Sequence, residues 1–264
     1  MSSVLLHIYG PLAIHSFGLM IVVGLLVVLY FLEHDTIIKK LISNSQLSII
    51  IQISLISGIA GGRIWFLITN PSVIEQWSDI FTIWNGGLSI LGAIIGIIIT
   101  LPIYLIWHHI PILKLLDRLA LYAPLLQSIS RFGCFFAGCC HGLPTNLPWG
   151  VLYTDIESLA PLHIIMHPTQ MYSSILLFLT FVILYVFDRH NKHQKSGTIL
   201  VLYIMLTSSE RFIVDFWRGD QEFFAQSWYF DFLSIQQFLA LLLFISALIM
   251  LIFITIYKKQ NESI

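Results

Sequence analysis

The sequence predicts an all-α protein that crosses a membrane about seven times and forms one domain over residues 1–264. The first observation is composition: 57% of the residues are hydrophobic and only 10% are charged, whereas about a quarter are charged in a typical soluble domain. The second is a series of long apolar segments, and the third is the confinement of lysine to alternate loops. A soluble core cannot accommodate so many apolar residues, so we expect the chain to be embedded in a membrane.

The apolar segments are long enough to be membrane helices, which need about 20 predominantly apolar residues. Seven segments meet this requirement: 12–32, 46–69, 88–107, 119–140, 171–187, 198–217 and 235–257. Each is therefore predicted to form one spanning helix.

The loop charges predict the orientation. Lysine or arginine occurs in alternate connections: 33–45, 108–118, 188–196 and the C-terminal tail. The other three loops contain neither residue: 70–87, 141–170 and 219–234. Because basic loops stay on the cytoplasmic side, the N-terminus is predicted outside and the C-terminus in the cytoplasm.

Composition also limits the partners. A net charge of −1 argues against nucleic acid. The three cysteines lie in one segment, so no disulfide framework is indicated. Neither a cofactor nor a metal is expected, because the histidines and carboxylates of 141–170 fit no compact zinc pattern and 139–141 are too close together for tetrahedral ligation.

The second and third segments carry the first ligand candidates. Gly58 and Gly61 are interpreted as helix-packing positions, since small residues let helices approach closely. A polar opening precedes the third helix, where free backbone N–H groups offer a possible anion seat; it consists of Asn85, Gly86 and Gly87.

Four arginines fall outside the basic loops, towards the outer half of the predicted spans: Arg63, Arg131, Arg211 and Arg218. They either pair with Glu210 and Asp215 for structure or bind an anionic ligand. Arg211, Asp215 and Arg218 recur at helical spacing and are predicted to share one face. Arginine binds phosphate oxygens in a bidentate manner, so an anionic phospholipid head group is the expected ligand.

The remaining candidates surround the fourth segment. Cys139 and Cys140 precede His141, which makes this the one cluster with nucleophile or base chemistry. Gln170 and Tyr172 enter the fifth helix, where they either bind a ligand or anchor the helix at the interface.

Taken together, these motifs resemble the prolipoprotein diacylglyceryl transferases. The similarity covers nearly the whole chain, in order: 17–20, 61–63, 84–89, 117–133, 142, 167–172, 210–218 and 233–237. It implies a bacterial plasma (inner) membrane enzyme, multi-pass, with its active site towards the outer face. Such an enzyme moves the diacylglyceryl group of phosphatidylglycerol onto a lipobox cysteine of a preprolipoprotein and releases glycerol phosphate.

The resemblance assigns roles to particular residues. It implies that Arg131 and Arg211 hold the phosphate and assist its departure. Candidate substrate contacts that lie within the matching motifs are Arg63, the 85–87 stretch, Gly142, Gln170, Tyr172, Asp215 and Arg218.

The chain also departs from the family pattern. Ser130, Cys134, Ala137 and Cys139 replace a Gly, two Asn and a Glu of the signature; Phe17 replaces a Tyr, and Leu91 replaces the essential His. We keep Cys134 and Cys139 as substrate-contact candidates. Since leucine cannot move a proton, His141 is the expected substitute base.

Four functions therefore stay open. The first is a diacylglyceryl transferase with a rearranged site, and the second is a phospholipid-dependent transferase with another acceptor or head-group reaction. The third is a membrane thiol redox protein that uses the adjacent pair Cys139 and Cys140. The fourth is a non-catalytic lipid-binding protein that retains the arginines.

Overall fold

A computed structural model describes residues 4–9, 12–71, 87–191, 194–220 and 233–261. The described helices are α1 Ser16–His34, α2 Ile38–Leu41, α3 Asn44–Thr69, α4 Ile90–Trp107, α5 Ile112–Ala137, α6 Thr169–His190, α7 Thr198–Asp215 and α8 Ile235–Asn261. Two short sheets accompany them: β1 Val4–Tyr9 with β2 Leu12–His15, and β3 Val151–Leu152 with β4 Ile165–Met166.

The all-α membrane architecture is confirmed, since every predicted segment contains one long helix. Within the described residues, four stretches are long and apolar enough to cross a membrane: Ser16–His34, Asn44–Thr69, Thr169–His190 and Ile235–Ile256. The apolar part of α4, Leu91–Trp107, is shorter. The count of seven spans and the orientation therefore stay predictions. The first helix begins four residues later than predicted, because residues 12–15 form β2.

The chain packs as two units, each described here by itself. The second unit comprises residues 9–12 and 33–115. In it α3 and α4 approach backbone to backbone: a Cβ on Gly61 would lie 2.4 Å from the carbonyl oxygen of Gly92 and 3.1 Å from Cα of Gly96. No side chain fits at that distance, which confirms the packing role predicted for Gly61.

The first unit comprises residues 1–8, 13–32 and 116–264. Asp117, near the start of α5, is buried and accepts hydrogen bonds from the backbone N–H groups of Gly197, at 2.6 Å, and Leu200, at 2.9 Å. A carboxylate here satisfies N–H groups that the first turn of α7 leaves unpaired. The segments that follow the two helices also meet, because the N–H of Leu143 donates to the Trp217 carbonyl at 2.8 Å. With contacts at both ends, α5 and α7 run in the same direction and end on the same side of the unit.

Polar contacts inside the unit hold α6 between these helices. The Ser128 hydroxyl on α5 donates to the Ser174 carbonyl on α6 at 2.8 Å, and both residues are buried. On α6, Ser173 donates to Glu210 of α7 at 2.5 Å. In an apolar medium such bonds fix the helices laterally, because an unpaired hydroxyl or carboxylate would be costly.

The predicted orientation is tested by single cysteines in exposed loops. Asn146 and Asn191 are both exposed asparagines, one in the 141–170 loop and one just after α6. In a background lacking the three native cysteines, Asn146→Cys should react with a membrane-impermeant thiol reagent in intact cells. Asn191→Cys should react only after the membrane is opened. Labelling of Asn191→Cys in intact cells would reverse the orientation.

Candidate functional site

A tight turn follows the end of α5, on the side of the unit where α7 also ends. Helix α5 ends at Ala137, and Gly138 follows in the left-handed conformation with φ +78°. Glycine is the usual residue at this position of a helix terminus. Two residues later Cys140 also has a positive φ, 57°, which is uncommon for a residue with a side chain. The turn thereby folds Cys139 and Cys140 back over the last turn of α5.

The first turn of α6 fixes this conformation. The Thr169 hydroxyl donates to the Cys140 carbonyl at 2.7 Å, and the Gln170 amide donates to the Cys139 carbonyl at 2.8 Å. Both side chains are almost completely buried. Gln170 was predicted to contact a ligand; in the structure its side chain holds the main chain of Cys139. At the start of an apolar run, Thr169 looks like a helix cap in the sequence, but the structure shows no side-chain cap there and gives Thr169 this main-chain contact instead.

Beyond the turn, the chain passes between the residues that precede α6 and those that follow α7. The N–H of Gly142 donates to the His167 carbonyl at 3.1 Å, and the N–H of Gly219 donates to the His141 carbonyl at 3.0 Å. A Cβ on Gly142 would lie 2.4 Å from the His167 carbonyl oxygen. Only glycine fits this close approach. Gly142 thus brings His141 against the segment that follows α7.

Three thiols meet at the turn. The sulfur atoms of Cys134, Cys139 and Cys140 all lie within 4.8 Å of one another, and no disulfide joins them. The Cys139 thiol also lies 3.8 Å from the Cys134 carbonyl oxygen. The three sulfur atoms thus form one compact group at the end of α5.

His141 lies half-buried beside this cluster. Its Nδ1 is 3.3 Å from the Gly142 carbonyl oxygen, and the ring borders Gly219. A proton on Nδ1 that points to this carbonyl leaves the lone pair on Nε2. In the part of the chain that the structure describes, Nε2 has no hydrogen-bond partner. The geometry is thus that of a proton acceptor.

Arg131 lies on the last two turns of α5 and is half-buried. Among the residues that the structure describes, its guanidinium has neither a hydrogen bond nor an ion pair. Its positive charge is near enough to Glu210 and Cys140 to act on both groups. A half-buried cation among apolar helices favours a further counter-charge, and an anionic ligand would supply one.

The shared face predicted for α7 is confirmed for Arg211 and Asp215, whereas Arg218 lies three residues past the end of the helix. Asp215 is completely buried and accepts a hydrogen bond from Ser234. It forms ion pairs with Arg211, at 3.5 Å, and Arg218, at 3.7 Å. Arg218 also makes two bonds to Asp220, at 2.9 and 2.7 Å. The donors of Arg218 are therefore largely occupied, whereas Arg211 is 25% exposed and makes one long pair.

The other candidates belong to the second unit or lie outside the described residues. Arg63 is buried in the second unit and donates to the Gly87 carbonyl at 3.1 Å. Gly87 has φ +76°, and Asn85 and Gly86 lie outside the described residues. Leu91 leaves half of its side chain exposed.

Two aromatic hydroxyls border the site. The hydroxyl of Tyr172 accepts a hydrogen bond from the Trp149 indole at 2.8 Å and lies 3.2 Å from Nδ1 of His167. The hydroxyl of Tyr153 donates to the Phe135 carbonyl at 3.1 Å. Burial raises the pKa of Tyr153 to about 12, so it stays a neutral donor at physiological pH. Tyr153 was missed because nothing in the loop sequence distinguishes it from a surface tyrosine.

Comparisons with known proteins find relatives that cover most of the chain. A family model described as prolipoprotein diacylglyceryl transferase matches residues 3–253. A phosphatidylglycerol–prolipoprotein diacylglyceryl transferase of Clostridium tetani is 36% identical over 220 residues, which are 83% of this chain and 86% of the relative. One from Clostridium perfringens is 34% identical over 83% of this chain and 84% of its own. One from Symbiobacterium thermophilum is 30% identical over 92% and 89%.

Proposed function

Because this chain belongs to the prolipoprotein diacylglyceryl transferase family, we propose that it transfers a diacylglyceryl group from phosphatidylglycerol to a cysteine thiol of a prolipoprotein. The relatives that carry this activity in their names are bacterial, and the described helices are apolar enough for a membrane enzyme. We place the protein in the bacterial plasma membrane, with the site open to the outer face. Arg131, half-buried and unpaired among the described residues, is the observation that carries the proposal.

The phosphate of the donor lipid is bound between α5 and α7. Arg131 and Arg211 sit at the common end of the two helices, and both keep donors available for an anion. Asp215 and Arg218 are positioning residues, because their bonds to Ser234 and Asp220 fix the end of α7. We assign Gly142 and Gln170 a positioning role as well, because they hold the main chain after the end of α5. Tyr172 borders the site.

The reaction needs a thiolate and a stabilised leaving group. Nε2 of His141 takes the proton of the lipobox thiol, and the thiolate attacks the glyceryl carbon that carries the phosphate. The carbon–oxygen bond breaks, and its electron pair leaves with glycerol phosphate. Arg131 and Arg211 stabilise the charge that develops on that phosphate. The thioether product retains the diacylglyceryl group.

A reconstituted assay tests the proposal. Full-length protein in detergent micelles is incubated with phosphatidylglycerol and a synthetic lipobox peptide, and the peptide is analysed by mass spectrometry. We expect the mass of one diacylglyceryl group to be added, together with release of glycerol phosphate. A peptide in which the lipobox cysteine is serine is the matched control and should stay unmodified. Absence of both products would refute the proposal.

One observation favours a second candidate, a phospholipid-dependent transferase with another acceptor. Leu91 stands where the family has its essential histidine, and its side chain is half exposed. A leucine there removes a proton acceptor that thiol transfer would use. In the same assay, glycerol phosphate release without modification of the peptide would identify this candidate.

A further inference from the structure

The three clustered thiols go beyond the needs of diacylglyceryl transfer. Two thiols suffice for a disulfide, and one suffices for a nucleophile or base. Here all three sulfur atoms converge within 4.8 Å. A metal ion with sulfur bonds of about 2.3 Å separates its sulfur ligands by about 3.8–4.0 Å, depending on coordination number. A small side-chain adjustment therefore lets all three thiolates reach one ion.

The backbone is built to hold this convergence. Cys140 keeps a positive φ of 57°, a conformation that persists only where surrounding contacts enforce it. The enforcing contacts are the bonds from Thr169 to the Cys140 carbonyl and from Gln170 to the Cys139 carbonyl. Cys134 is buried on α5, while Cys139 and Cys140 are half-buried. The main chain of Cys139 and Cys140 is thus held in place, while their sulfur atoms remain partly accessible.

The donor set selects a class of ion. Among the described residues, the group contains three cysteines and no histidine or carboxylate. Thiolate ligands select soft cations, and three sulfur ligands suit Cu(I) in trigonal coordination. Zn²⁺ usually takes a fourth ligand, which in a three-residue site is water. We propose that Cys134, Cys139 and Cys140 bind one soft d¹⁰ metal cation, with Cu(I) as the best match.

The charges around the three cysteines are compatible with a bound Cu(I) ion. Three thiolates and one Cu(I) carry a net charge of −2, because each thiol releases its proton on binding. The positive charges of Arg131 and Arg218 are near enough to Cys140 to offset part of this charge. A hard divalent cation would have no oxygen ligand in the group. A disulfide between Cys139 and Cys140 would instead close a strained ring between adjacent residues.

The experiment is a competitive Cu(I) titration. Full-length protein in detergent, reduced and freed of metal without oxygen, is titrated with Cu(I) in the presence of the chromophoric chelator bathocuproine disulfonate. We expect one equivalent to be withdrawn from the chelator. Cys134→Ser, Cys139→Ser and Cys140→Ser should each weaken binding by about tenfold or more, because each removes one ligand. Ser130→Ala, one helical turn before Cys134 on α5, is the matched control and should bind like the unchanged protein.

A second variant tests whether the fixed backbone of Cys140 contributes to metal affinity apart from the sulfur ligands themselves. Thr169→Val keeps all three sulfurs but removes the bond to the Cys140 carbonyl. Loss of such a supporting contact typically lowers metal affinity by about 10–100-fold. One equivalent of Zn²⁺ in place of Cu(I), lost in the serine variants, would also support the site. Absence of both metals from the reduced protein, or binding that survives all three serine substitutions, would overturn the proposal. None of these readouts depends on transferase activity.

Discussion

His141→Ala should lower the rate of diacylglyceryl transfer by about a hundredfold to ten-thousandfold, the usual contribution of a positioned general base. Nε2 of His141 is the proton acceptor in the proposed reaction, and its Nδ1 faces the Gly142 carbonyl. The measurement is the initial rate of peptide modification with saturating phosphatidylglycerol. Lipid binding should change little, because the imidazole is not required to hold the phosphate.

Matched variants make the His141 result interpretable. His141→Gln retains a polar side chain of similar length without a basic ring nitrogen, so it should be as slow as the alanine variant. His190→Ala, at the exposed end of α6, should retain the full rate. His163→Asn should do so as well; asparagine is chosen because position 163 has φ 61°, which asparagine tolerates. A His141→Gln enzyme with normal turnover would remove the histidine from the mechanism.

The second large effect is expected at Arg131. Replacement by alanine should reduce lipid binding or turnover by about tenfold to a hundredfold, because hydrogen bonds to charged groups contribute about 1.5–3 kcal/mol. Arg131→Lys should recover only part of this loss, since an ammonium group cannot form the bidentate pair with a phosphate. The measurement is the affinity for phosphatidylglycerol in mixed micelles alongside the transfer rate.

The control for Arg131 is another arginine on the same unit. Arg189 is exposed near the end of α6, where it donates to Tyr185 at 2.7 Å. Arg189→Ala should leave lipid binding and transfer unchanged. If Arg131→Ala also binds phosphatidylglycerol normally and transfers at the full rate, the phosphate lies elsewhere and the site must be reassigned.

The helices could be predicted because membrane helices depend on local properties. Length and apolar content identify α3, α6 and α8 without knowledge of their neighbours. The shared face of Arg211 and Asp215 followed from helical spacing alone, and the structure confirms it on α7. The spacing did not predict that α7 ends before Arg218.

The contacts between distant segments could not be predicted. The pairing of Arg218 with Asp220 and of Asp215 with Ser234 requires knowledge of how the chain turns after α7. The thiol cluster depends on the positive φ of Cys140. Spacing alone argued against ligation by adjacent cysteines, because ordinary backbone conformations direct neighbouring side chains apart.

The cap that Asp117 provides for α7 also constrains biosynthesis. The carboxylate and the Gly197 N–H group that it binds are separated by 80 positions in the chain. During translation α5 is complete before α7 is made, so the carboxylate lacks these N–H partners until the later helix is present. Synthesis of α7 supplies them and ties the start of α5 to a helix that is made much later.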